Sequence, residues 1–155
     1  MDILKPGNIL HIKDYEFEDG GGTRDKYLIV IDVSETLSLL LRVLTTSQLK
    51  VPEDKAIHGC RNEPENGLHY YMFQQNRLLG AYEGAEFAFG KDTFILFRNN
   101  IKDISLQRFI ANYQHVVQCV CTLDESEFKR LKKCIRQNAI TADRSAKRNF
   151  PHIFT

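Results

Sequence analysis

Gly7-Asn8-Ile9-Leu10-His11-Ile12-Lys13 opens a run that sets the architecture of this chain. It continues through Gly20-Gly21-Gly22-Thr23-Arg24-Asp25, the apolar Lys26-Tyr27-Leu28-Ile29-Val30-Ile31, and a close on Thr45-Thr46-Ser47. Leu10 and Ile12 alternate with His11 and Lys13, the period of two expected of a half-buried strand. The acidic stretch before the glycines reads as a loop over Asp14 to Asp25, where the Gly20-Gly22 run tolerates positive φ. From Lys26 to Val33 the residues are nearly all aliphatic or β-branched, as in a central strand covered on both faces. Thr36 to Thr45 has enough leucine to suit a helix. The short Ser34-Glu35 connection and Val43-Leu44-Thr45-Thr46 favour a strand that pairs back on its predecessor.

Beyond this run, 48–66 reads as irregular, with Pro52, Gly59 and Pro64. Strands are predicted at Leu68 to Phe73, Ala85 to Phe89, Thr93 to Phe97 and His115 to Cys121, with Gly90-Lys91-Asp92 as a tight turn between the middle two. Ile101 to Tyr113 reads as a short helix with Ile104, Phe109 and Ile110 as its apolar contacts. A second helix runs from Asp124 to about Gln137. Asp124 and Glu127 have the spacing of a capping box, and Phe128, Leu131, Cys134 and Ile135 form an apolar stripe. The chain from Thr141 is polar and expected to be loosely held, with Phe150, Ile153 and Phe154 available to dock.

Composition narrows the function classes. The chain has 155 residues, 43% apolar and 26% charged, which suits one ordinary globular core. No apolar stretch approaches the roughly 18 residues that would span a bilayer, and the Met1-Asp2-Ile3-Leu4-Lys5-Pro6 start is unlike a secretory signal. Cys60, Cys119, Cys121 and Cys134 are too sparse for a disulfide framework, so reduced thiols and a cytoplasmic location are expected. On a regular strand Cys119 and Cys121 would face the same side. The net charge of +1 hides a basic end: eight Lys/Arg against four Asp/Glu from Thr122 to Thr155. Such an end can recruit phosphate by counterion release or simply be a solvated helix face.

The glycine loop is not a phosphate-binding P-loop, because no Lys-Ser/Thr pair and no helix follow it. Its alternatives are a mobile hairpin or a flap beside a groove, with Arg24 and Lys26 at the hinge. A guanidinium there would offer a fixed fork of donors to a phosphate oxygen. Thr45-Thr46-Ser47 is either satisfied by local backbone or faces a ligand. If its strand pairs with the one carrying Arg24, a cation and a hydroxyl emerge at one sheet edge. His58, Cys60 and His69 lack zinc-site spacing, and no metal or cofactor is expected. His58 reads as an acid or base, or as a surface or capping histidine. The aromatic residues from Tyr70 to Phe97 read as core at strand spacing, with base stacking as the alternative.

Pro6-Gly7-Asn8-Ile9-Leu10, Thr23 to Ile31 and Leu44-Thr45-Thr46-Ser47 together resemble the opening of the MazF/PemK-like toxins. The resemblance implies a mostly β, α+β fold: a small SH3-like β-barrel with a C-terminal helix over 1–140, followed by a basic tail over 141–155. It implies metal-independent cleavage of single-stranded RNA by the toxin of a bacterial toxin–antitoxin pair, an antitoxin peptide as partner, and a homodimer. Carried onto this chain, Arg24 and Thr46 become the catalytic pair, with Lys26, Ser47 and Lys50 as RNA-backbone contacts. When Leu28-Ile29-Val30 is aligned with the family's apolar triplet, its Arg-Pro pair falls on Asp25-Lys26 and Arg24 lies one position early. The alternative is therefore a catalytically inactive barrel that binds protein or nucleic acid.

Overall fold

The computed structural model describes residues 2–16, 23–45 and 57–155, with 14–16, 23–25 and 44–45 described as backbone only. These residues form eleven strands and four short α-helices. The larger sheet has seven antiparallel strands in the order β10-β3-β2-β1-β11-β7-β8. Its members are β1 (Asn8–Glu16), β2 (Thr23–Val33), β3 (Leu37–Arg42), β7 (Gly80–Tyr82), β8 (Ala85–Phe87), β10 (Ile101–Ser105) and β11 (Val117–Leu123). The smaller sheet, ordered β4-β9-β6-β5, holds β4 (Leu44–Thr45), β5 (Gly59–Glu63), β6 (Leu68–Phe73) and β9 (Thr93–Leu96). The helices are α1 (Leu106–Tyr113), α2 (Glu125–Gln137), α3 (Arg144–Asn149) and α4 (Pro151–Phe154). This is a mostly β, α+β architecture. Neither sheet closes on itself among the described residues.

The aliphatic run in β2 explains its central place. Ile29 and Ile31 enter a core shared with Tyr71, Phe73 and Ile95 of the smaller sheet, Leu131 and Ile135 of α2, and Phe150. Leu28 and Val30 point the other way, into a second cluster with Leu10, Ile12, Leu40 and Phe109 of α1. The strand is thus buried on both faces, as its sequence predicts. Side chains at i and i+2 share a face, so this alternation feeds two cores from one ladder.

Several expectations change. Strand β1 runs on to Glu16 and β2 begins at Thr23, so part of the expected Asp14–Asp25 loop belongs to a longer hairpin. Cys119 and Cys121 lie in different cores because β11 carries an extra residue: Ile9 pairs with Cys121, but Leu10 pairs with Cys119. A bulge of this kind resets the alternation. Gly90-Lys91-Asp92 does not join a hairpin; it carries the chain from β8 in one sheet to β9 in the other. The tight hairpin is instead β7–β8, turning at Glu83 and Gly84 with φ of 50° and 84°, the double positive φ of a type I′ turn. Gly80 sits where β7 crosses β11, and a Cβ there would lie 2.0 Å from the Thr122 carbonyl oxygen.

Ile101–Ser105 is strand, not helix, because it completes the ladder beside β3. The helix begins only at Leu106, where the Ser105 hydroxyl accepts from the Arg108 N–H at 3.3 Å. Part of the stretch read as irregular is the strand β5, paired with β6. The chain after Thr141 is not loose either: Ala146, Phe150, Ile153 and Phe154 are buried in the main core. Finally, Cys60 and Cys134 are joined by a disulfide, with Cα atoms 5.5 Å apart, so the expectation of four reduced thiols holds only for Cys119 and Cys121. Folding brought two cysteines 74 positions apart onto facing elements, a proximity that their sequence spacing does not encode.

Candidate functional site

The β2–β3 pairing on which the sequence argument depends is present, with Leu28 opposite Arg42 and Ile29 opposite Leu41. Its connection is Ser34 to Thr36, one residue longer than the expected Ser34-Glu35, and Ser34 closes it by accepting the Leu37 N–H at 3.1 Å. Arg24 lies four positions before Leu28 on β2 and pairs through its backbone with Tyr15. After Arg42 the chain leaves the larger sheet. The Val43 N–H still donates to the Tyr27 carbonyl at 3.2 Å, and Leu44–Thr45 then pairs with Thr93–Phe94 in the smaller sheet. The route toward Thr46 therefore crosses the junction of the two sheets. Thr46, Ser47 and Lys50 themselves lie outside the described residues, as do Gly20 to Gly22 and the side chain of Arg24. Lys26 is described: its side chain is largely buried, with the residue 9% exposed opposite Ile12.

The chain re-emerges from the segment holding Thr46 at Ile57, and the next residue anchors it. His58 is almost enclosed, its side chain 7% exposed. Its Nδ1 accepts the Gln74 backbone N–H at 3.0 Å. The proton therefore sits on Nε2, which donates to Glu127 Oε1 at 2.9 Å. The other Glu127 oxygen accepts from the Tyr71 hydroxyl, and the Arg130 guanidinium stands 3.5 Å from Oε1. Burial lowers the His58 pKa, with the Arg77 and Arg130 charges acting in the same sense and Glu127 opposing. Burial and the Glu127 charge push the Tyr71 hydroxyl well above its ordinary range.

Chemically this cluster is a clamp. Both imidazole nitrogens are occupied and the ring is enclosed, so His58 has no free nitrogen to present to a substrate. Of the readings open from sequence, acid or base, surface or capping histidine, the capping one is realised. Glu127 is likewise not a capping-box partner: Asp124 occupies the N-cap without a side-chain cap bond, and Glu127 turns inward. A signal for this was present in the sequence. Glu127 lies four residues before Leu131 on the same apolar stripe, where a carboxylate is buried only if partners await it.

The same helix is secured at its far end. Asn138 donates to the Cys134 carbonyl at 2.8 Å and shares a 2.7 Å contact with His69 Nδ1. The Asn62 side-chain amide donates to the Gln137 carbonyl at 3.2 Å, beside the Cys60–Cys134 bridge. The two free thiols are poor nucleophile candidates: burial pushes Cys121 up to about 12 and Cys119 upward as well. Among the described residues no cluster of three or more His, Cys, Asp or Glu could hold a metal ion. No helix among them is long and apolar enough to cross a membrane. Comparison of the chain with known protein families, curated proteins and solved structures finds no match.

Proposed function

We propose that the chain is a metal-independent endoribonuclease of the MazF/PemK type, built as a divergent SH3-like barrel and acting on single-stranded RNA in the cytoplasm. The observation that carries the reading is the antiparallel β2–β3 register. Leu28 and Arg42 are partners, and Arg24 and Thr46 lie four positions outward on either side of that pair. In sequence, an arginine and a threonine thus flank that pair, both on the side away from the β2–β3 connection. In the reaction a ribose 2′-hydroxyl attacks the adjacent phosphorus and the bond to the 5′ oxygen of the next nucleotide breaks. Arg24 offsets the charge that develops on the phosphate oxygens, Thr46 hydrogen-bonds the same group, and Ser47 and Lys50 hold the flanking backbone. An antitoxin peptide occupying the same groove and a homodimeric state belong to this proposal.

The second reading, a catalytically inactive barrel that binds protein or nucleic acid, is favoured by one feature: Arg24 lies one position ahead of the family's arginine. The two are separated by incubating the protein with single-stranded RNA in EDTA. The nuclease reading expects cleavage that falls by about 100-fold or more in Arg24→Ala and Thr46→Ala, the usual scale for losing a charge-stabilising donor. Intact RNA retained in a tight, salt-sensitive complex would favour the binding module instead.

A further inference from the structure

A cavity of about 360 Å³ lies between the outer face of β2, β3 and β10 and the helix α1. Its size falls in the ordinary range for small-ligand sites, roughly 300–1,000 Å³. Leu28, Leu40, Ile104 and Phe109 make its apolar side, and Arg42, Lys102 and Arg108 bring three cations to its lining. The two guanidinium groups differ in how they are held. Arg42 is fixed by donating to the Asn100 side-chain oxygen and the Asn99 carbonyl, both at 3.2 Å. Arg108 is exposed, and its guanidinium makes no hydrogen bond or ion pair with the described residues. Lys102 spends its charge on Asp143 at 3.2 Å. The carboxylate of Asp103, also in the lining, accepts from Ser145 and Asn149 of α3 at 2.7 and 2.8 Å, so each of its oxygens already has a partner. The balance left for a ligand is cationic.

We propose that this cavity is a nucleotide subsite, taking one base and one phosphate of a single-stranded RNA. The half-buried Tyr113 ring, backed by the fully buried Phe109 ring with centroids 5.1 Å apart, offers aromatic surface on which a planar base can rest. Arg42 and Arg108 offer the paired donors that suit a phosphate. The Asn112 amide, also in the lining, has the donor and acceptor needed to read a base edge. Position in the fold supports an RNA occupant. Leu28, at the cavity, lies four residues of β2 beyond Arg24, and four residues of strand cover about 13 Å. A strand of RNA seated on Arg24 can therefore continue into the cavity. The subsite rests on the nuclease reading for its RNA occupant and on its own lining for its chemistry.

The test uses the full chain and two readouts. In an amide NMR titration, 5′-mononucleotides shift Arg108, Asn112 and Tyr113, whereas inorganic phosphate alone leaves Asn112 and Tyr113 in place. In the cleavage assay on a single-stranded decamer, Arg108→Glu raises KM at least 10-fold with kcat unchanged, Arg108→Lys recovers part of the loss, and Lys129→Glu on α2 changes neither. Phosphate reproducing the full nucleotide shifts would reduce the cavity to an anion site and overturn the proposal. Cleavage with unchanged KM in Arg108→Glu and no nucleotide shifts would overturn the subsite while the nuclease stands. Nucleotide shifts at α1 in a protein that cleaves no RNA would uphold the subsite and remove the nuclease.

Discussion

The larger sheet and the smaller sheet with α2 are held together by different physics. In the larger sheet, stability comes from apolar side chains on both faces of β1, β2 and β3: Ile9, Leu10, Ile12, Ile29, Val30, Leu39 and Leu41 are all at most 1% exposed, and Leu28 and Leu40 are each at 4%. Burial of this kind is non-directional and scales with area. The smaller sheet also lends Tyr71, Phe73 and Ile95 to the main core, but its junction with α2 is fastened by specific partners. The Glu127–His58–Tyr71 cluster stands at one end and the Cys60–Cys134 bridge and Asn138 at the other. The lesson is one of tolerance. An apolar ladder loses a little with each methyl group, whereas a buried polar clamp fails when one partner leaves.

The sharpest way to break that contrast is Glu127→Ala. It strands the Tyr71 hydroxyl and the His58 N–H in a buried site, and about 2–6 kcal/mol of unfolding free energy is expected to be lost, about 1–3 kcal/mol for each stranded donor, measured by urea denaturation. A loss below about 1 kcal/mol would show that the clamp contributes little. Next is Cys60→Ser, which opens a loop spanning 74 positions. About 2–4 kcal/mol is expected, read as a lower denaturation midpoint that dithiothreitol reproduces in the unaltered chain and leaves unchanged in the variant. On the apolar side, Ile29→Val should cost only about 0.5–1.5 kcal/mol. A larger penalty would mean that the larger sheet is as exacting as the clamp.

The mildest expected effect is a pH dependence. The His58 pKa is held below its ordinary value of 6.5, chiefly by burial. The unfolded chain therefore takes up a proton where the folded one resists it. The contribution of His58 is complete above about pH 6.5 and is lost as pH falls toward the folded-state value. Thermal unfolding followed between pH 5 and 7 should show this slope in the unaltered chain and a shallower one in His58→Gln. Identical slopes would place the ring outside any buried clamp.

How much could be read beforehand follows the same division. Strand β2, strand β6, the α2 stripe and the docking of Phe150, Ile153 and Phe154 were visible because each is a periodic or aromatic pattern read over neighbouring residues. The exchange of Ile101–Ser105 from helix to strand was not, because its partner β3 lies some sixty positions upstream and a ladder outweighs local propensity. The bulge that separates Cys119 from Cys121 was equally hidden, since a register shift belongs to a pair of strands and not to either alone. For the candidate site, the pairing of β2 with β3 was foreseen from the short connection between two apolar runs. The clamp was half visible: Glu127 stood on an apolar stripe, but its partners Tyr71 and His58 came from other elements.

Local chemistry in the chain was enough to specify where the aliphatic strands and the amphipathic helix form, because hydrophobic period and turn residues act over a few neighbours. Which cysteines meet, which carboxylate is buried against which imidazole, and where a cationic cavity opens beneath α1 were settled by long-range packing. Those features depend on the relative placement of elements distant in sequence, and burial then requires each polar group brought inside to find its partner.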